Sequence, residues 1–119
     1  MLTVYGLKNC DSCRKALTWL DEANISYGFL DVRVDGLEED RVTDWIAAVG
    51  LKVLVNRRST TWRNLGEGER AVATGDQAAS FLTSHPALIK RPVFEFDGDI
   101  LVGINGDTKE LLQQISAST

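Results

Sequence analysis

This chain of 119 residues is poor in histidine, cysteine, proline and methionine: one His, two Cys, two Pro and one Met. Each scarcity excludes something. Two thiols and one histidine cannot close a four-ligand zinc site without carboxylates or a second chain, so no metal is expected. Two cysteines do not make a disulfide-dense miniprotein. An apolar share of 44% and a charged share of 25% exclude a disordered or collagen-like chain. No apolar run approaches the roughly 18 residues that a membrane span needs. The opening Met1-Leu2-Thr3-Val4-Tyr5 reads as a strand without a basic leader, so no signal peptide is expected and the default location is cytoplasmic. Cysteines in that compartment are more often reactive than structural.

What is present suits one α/β domain spanning 1–119, large enough to bury a core. Nothing in the sequence demands an oligomer, and a monomer is expected. Thirteen basic and seventeen acidic residues give a net charge of −4, which argues against nucleic acid as a partner. The charge is uneven. Asp31, Asp35, Glu38, Glu39, Asp40 and Asp44 crowd one stretch. The stretch from Leu51 to Asn64 has no acid but holds Lys52, Arg57, Arg58 and Arg63; Gln77 to Phe94 has none but holds Lys90 and Arg91. Clearing acids from around arginines suits an anion site; a solvated basic face is the plainer alternative.

Periodicity predicts the elements. Leu2–Tyr5 reads as a strand ended by Gly6, Ser12–Ala23 as a helix with Ala16, Leu17, Leu20 and Ala23 on one face, and Tyr27–Val32 as a second strand. Leu37–Val49 reads as a helix through Val42, Trp45, Ile46 and Val49, stopped by Gly50. Residues 51–90 carry helical pieces near Glu67–Ala73 and Asp76–Thr83 and form a helical insertion. Val93–Phe96 and Ile100–Ile104 flank an Asp97-Gly98-Asp99 turn as a hairpin. Asp107 and Glu110 look like a capping pair opening a last helix through Leu111, Leu112 and Ile115. Early βαβ order predicts parallel strands; the late hairpin predicts antiparallel ones.

The motif Cys10-Asp11-Ser12-Cys13 lies between the first strand and first helix. A CxxC there is a thioredoxin-like signature. At the helix start, free N–H groups and the positive dipole end favour a thiolate on Cys10. Lys8, Arg14 and Lys15 add positive charge nearby. Cys13, one turn in, should be more buried and less ionised, so Cys10 attacks and Cys13 resolves. Two inert core cysteines are the bland alternative. Pro92 precedes a strand, where a thioredoxin-like fold carries a cis-proline whose neighbour's backbone pairs with a bound peptide or glutathione; an ordinary trans-proline at a strand start is the alternative. Arg58 and Arg91 offer forked donors for an oxyanion or for the carboxylates of glutathione. Trp62 reads as a core aromatic anchoring the insertion, Trp19 and Trp45 as helix-face packing, and His85 as a helix-end residue.

Three blocks together resemble the arsenate reductase (ArsC) and Spx family. They are Val4-Tyr5-Gly6-Leu7-Lys8-Asn9-Cys10-Asp11-Ser12-Cys13-Arg14-Lys15-Ala16, Asn56-Arg57-Arg58-Ser59-Thr60-Thr61-Trp62-Arg63 and Pro86-Ala87-Leu88-Ile89-Lys90-Arg91-Pro92. The chain is most similar to the short YffB-like branch. The resemblance runs from Leu2 to about Ile115. It implies a thioredoxin-like fold, a mixed four-stranded sheet with flanking helices and a helical insertion. By position it implies that Cys10 is the nucleophile, Arg58 the arginine of the insertion and Arg91 the arginine before the proline. Cys13 is usual in Spx-type regulators and is not needed in the glutathione-linked reductases. Here it joins the other three as a catalytic candidate, with Lys8, Asn9, Arg63 and Pro92 as candidate substrate contacts. Glutathione would be co-substrate, with no bound cofactor, and glutaredoxin a candidate partner. Arsenate reductases of this type carry a third arginine near the last strand; Ile100-Leu101-Val102-Gly103-Ile104-Asn105-Gly106 has none. The favoured reading is therefore a glutathione-linked thiol-disulfide reductase. An arsenate reductase and an Spx-like redox sensor that binds RNA polymerase are the alternatives.

Overall fold

A computed structural model describes residues 2–117, and the side chains of residues 2–114. The expectations for Met1 and for the Ile115 side chain fall outside those limits. The chain divides into two compact units, Met1–Val32 with Arg91–Thr119, and Arg33–Lys90.

The first unit is built on a four-stranded sheet ordered β2-β1-β3-β4. The strands are β1 (Leu2–Gly6), β2 (Tyr27–Asp31), β3 (Val93–Phe96) and β4 (Asp99–Val102). β1 runs parallel to β2 and antiparallel to β3, and β3 runs antiparallel to β4. The sheet is mixed, as the order of elements predicted. In the β3–β4 turn Asp97 and Gly98 both have positive φ, 47° and 86°, the backbone that a two-residue hairpin favours and that Asp-Gly supplies.

Helix α1 (Asp11–Glu22) carries Cys13, Ala16 and Leu20 on its buried face. It ends at Asn24, φ 59°, with Asn24 N–H donating to Asp21 O and Ile25 N–H to Leu20 O. That double closure satisfies the last carbonyls and turns the chain into β2. Leu2, Val4, Ala16, Leu20, Ile25, Phe94 and Leu112 form the core. Fully burying each large apolar side chain contributes about 1.5–3 kcal/mol. Its last helix is Gly106–Ala117. The expected Asp107–Glu110 capping pair is replaced by Asn105, whose side chain accepts the Thr108 N–H at 2.9 Å. Asn is among the strongest N-caps and stands one residue before the helix, where the geometry needs it.

The second unit is helical: α2 (Glu39–Val49), α3 (Leu51–Leu54), α4 (Thr60–Arg63), α5 (Glu67–Ala73) and α6 (Ala78–Ser84), then a 3-10 turn at Pro86–Leu88. The last helix of the chain is thus α7. α2 and α5 both pack on α6. Val42 and Trp45 are buried on α2, as the spacing predicted. A bridge between Val55 and Ile89 closes the unit, with Asn56 N–H on Leu88 O and Lys90 N–H on Leu54 O, each 2.7 Å. Among the described residues no helix is long and apolar enough to cross a membrane.

Candidate active site

The sheet topology gathers chain ends at one edge. Parallel β1 and β2 finish together, Gly6 opposite Asp31. Antiparallel β3 starts there, with Val93 opposite Tyr5 and Val102. The residues that flank these ends are Leu7 to Cys10, Val32, Arg91 to Pro92, and Gly103. The Arg91–Pro92 bond is cis, Pro92 is buried, and its carbonyl accepts Gly103 N–H at 2.8 Å.

Cys10 stands at the N-cap of α1 with extended backbone, and its carbonyl accepts Arg14 N–H at 2.9 Å. It makes no capping bond of the oxygen kind. Burial pushes its thiol up, but hydrogen bonds from Cys13 N–H, the Arg91 guanidinium and the Cys13 thiol, with the Arg91 charge, outweigh burial and leave it lowered. Cys13 is buried, 1% exposed. Burial pushes its thiol up to about 11, against the opposing Leu7 N–H, and the neighbouring Cys10 adds to the rise. The two cysteines are free, and they differ as their positions predicted. Cys10 is the more readily ionised thiol, and Cys13, hydrogen-bonded to it, holds its proton more tightly.

The source of positive charge differs from expectation. Arg14 pairs with Asp11 on the same helix face, three residues before it, an i,i+3 contact that the sequence permits. The cation acting on Cys10 is Arg91. Lys8 and Asn9 are exposed in the loop before Cys10, where Cys10 N–H donates to Leu7 O at 3.2 Å.

Arg58 and Arg63 belong to the helical unit and are exposed. Arg58 N–H donates to Asn56 Oδ1 at 3.1 Å, and the Arg63 guanidinium donates to Arg58 O at 2.9 Å. Ser59 caps α4 by accepting Trp62 N–H at 3.1 Å. Trp62 is half-buried, with the guanidinium carbons of Arg57 and Arg70 at 5.7 and 5.4 Å from its ring centre. It anchors this loop from a half-buried position, where a core aromatic was expected. His85 ends α6, its Nδ1 2.9 Å from Phe81 O and its ring stacked on Phe81.

Two residues of the Cys10 site went unread in the sequence. In the sequence Gly6 reads as a strand terminator. In the fold it is the last rung of β1, and a Cβ there would stand 2.5 Å from Cys13 Sγ. In the sequence Asp31 reads as part of an acidic run, yet it is 4% exposed and its Oδ2 accepts Lys8 N–H at 3.0 Å. Its place at the end of a strand parallel to β1 was the available signal, since ligand sites gather at the carboxyl ends of parallel strands.

A mixed sheet with a CxxC pair between β1 and α1, and an arginine–proline step beside the pair, defines a thioredoxin-like protein. Residues 5–111 match the ArsC family, and the chain belongs to that family. It is 49% identical over 105 residues to an uncharacterized protein of Haemophilus influenzae, covering 88% of this chain and 92% of that one. It is similar to the solved structure of a YffB protein, with TM-score 0.87 and 35% identity over 95% of this chain and 99% of that one. The global transcriptional regulator Spx of Listeria innocua is 28% identical over 109 residues, 90% of this chain and 82% of that one.

Proposed function

We propose that the protein is a glutathione-linked thiol-disulfide reductase. The observation that carries this reading is the unequal pair: a lowered Cys10 thiol hydrogen-bonded to a Cys13 thiol pushed up to about 11, with Arg91 beside Cys10. A nucleophile must be ionised at working pH, and a resolving thiol must wait in reach without competing.

The Cys10 thiolate attacks one sulfur of a disulfide, forming a mixed disulfide and expelling a thiolate. Cys13 then gives up its proton to solvent and attacks the Cys10 sulfur. The Cys10–Cys13 bond forms and the second substrate thiolate leaves, so the substrate gains two electrons. Two molecules of glutathione return the pair to dithiol and leave as oxidised glutathione. Arg91 holds the anionic part of the substrate while favouring the thiolate. On the family pattern Arg58 orients the anionic part of the substrate, and Lys8, Asn9, Arg63 and Pro92 stand as candidate substrate contacts. Arsenate suits Cys10 and Arg91 less well, because residues 100–106 carry no arginine.

A second reading has one observation in its favour, the likeness to a transcriptional regulator that runs along most of the chain. In it the same disulfide is a sensor and the partner is RNA polymerase. Mass and peptide mapping after incubation with oxidised glutathione test the reductase. The reductase should lose two hydrogens as wild type and carry one glutathione on Cys10 in Cys13→Ser. An unreacted chain would end it. A Cys10→Ser chain that keeps its full biological effect, together with polymerase capture, would favour the sensor.

A further inference from the structure

Asp31 is the one buried charged side chain among the described residues, and the proposed chemistry gives it no task. A buried carboxylate is costly unless hydrogen bonds hold it, so what it binds matters. It binds the middle of the loop that delivers Cys10. Segment 6–10 is fixed at three points: Gly6 O accepts Val32 N–H at 2.9 Å, Asp31 Oδ2 accepts Lys8 N–H at 3.0 Å, and Leu7 O accepts Cys10 N–H at 3.2 Å. Leu7 is also the residue whose N–H reaches the Cys13 sulfur. Leu7 therefore touches both cysteines, through its carbonyl and its amide, and the Leu7–Lys8 peptide whose carbonyl accepts Cys10 N–H is the one whose N–H Asp31 holds. The carboxylate itself is anchored in β2, at the last rung opposite Gly6. A hydrogen bond from an amide to a charged acceptor is among the stronger ones in a protein.

We propose that Asp31 is a positioning residue for the dithiol: by accepting the Lys8 N–H it fixes the loop that aims Cys10 and Cys13 at one another. It works as an acceptor anchored in the sheet, through the Lys8 N–H. The inference rests on the thiol-exchange reading and deepens it. Loosening the loop lowers the effective concentration of one thiol at the other, and small misplacements of reacting groups carry large penalties.

The test compares Asp31→Val, which removes the acceptor, with Asp31→Asn, which keeps an oxygen for Lys8. The readouts are the equilibrium constant for Cys10–Cys13 disulfide formation in glutathione buffers and the ratio of Cys10 to Cys13 alkylation rates. Thermal unfolding confirms that each variant is folded. Asp31→Val should lower the constant about tenfold or more and bring the two alkylation rates together. Asp31→Asn should stay within about threefold of wild type. A folded Asp31→Val with wild-type values, or an Asp31→Asn as impaired as Asp31→Val, would overturn the proposal. If Asp31→Val does not fold, Asp31→Asn and hydrogen exchange of the wild-type Lys8 amide decide. Wild-type constants in Asp31→Asn with protection matching β1 support the anchor; exchange at a free-loop rate removes it. The alkylation order of the wild-type cysteines tests the thiol reading separately, so the two can fail independently.

Discussion

Arginines do different work in the two units. In the sheet unit Arg91 hydrogen-bonds a sulfur and favours its negative charge. In the helical unit Arg63 donates to the carbonyl of Arg58, and Arg70 donates to the carbonyls of Trp62 and Arg63. Arg57 and Arg70 also lie over the Trp62 ring. One arginine alters a neighbour's protonation; the others tie a loop together. The acid-free windows contain both kinds, so a local excess of arginine does not by itself mark a chemical site. The partner of the guanidinium decides, a cysteine sulfur in one case and backbone oxygens in the other.

Four changes sharpen that contrast. The largest effect is expected from Gly6→Ala on the sulfur side. The new methyl meets Cys13 Sγ, and overpacking of this kind costs about 1–3 kcal/mol. Chemical denaturation should show the loss, and Cys13 alkylation should change with it. Next is Arg70→Ala, which removes two hydrogen bonds to carbonyls and a cation over Trp62. A loss of about 1 kcal/mol is expected in denaturation, with Cys10 alkylation at its wild-type rate. Arg91→Ala should do the reverse. The Cys10 thiol rises toward its ordinary value, alkylation at neutral pH slows severalfold, and the fold stays intact. If Arg91→Ala leaves the alkylation profile in place, the contrast between the units disappears. The smallest effect is expected from Arg63→Ala, about 0.5 kcal/mol for one exposed hydrogen bond.

The thiols also give stability a pH dependence with a definite sign. Cys13 holds its proton more tightly in the folded chain, with its value raised from 9.0 to about 11. Its contribution is complete below pH 9 and is lost as pH rises through about 11. Cys10 is lowered, so the unfolded chain binds the extra proton. Its contribution is present above 9.0 and is lost as pH falls through the lowered value. Unfolding in Cys10→Ser and Cys13→Ser chains separates the two slopes.

Much of the sheet unit was legible because its signals are local. The Val93–Phe96 strand, the Asp97-Gly98 turn and the α1 stripe follow from neighbouring residues. The CxxC position and the order of the two thiols also follow locally, from a helix start and one helical turn. α3 and α4 have four residues each, too few to show a period. What remained hidden came from distant parts of the chain. Asp31 is 23 residues from its Lys8 partner. Arg91 is named in the sequence by its place before Pro92, and it reaches Cys10 because β3 runs antiparallel to β1, so its start lies where β1 ends. Gly6 looked like a strand stop because its reason, the Cys13 sulfur, lies across the fold.

The most direct test is the pH dependence of iodoacetamide alkylation at each cysteine of the reduced chain, resolved by peptide mapping. Cys10 should react first, with a midpoint below 9.0, and Cys13 should stay protected until the pH nears about 11. Equal rates, or a faster Cys13, would contradict the division of labour on which the proposed function rests.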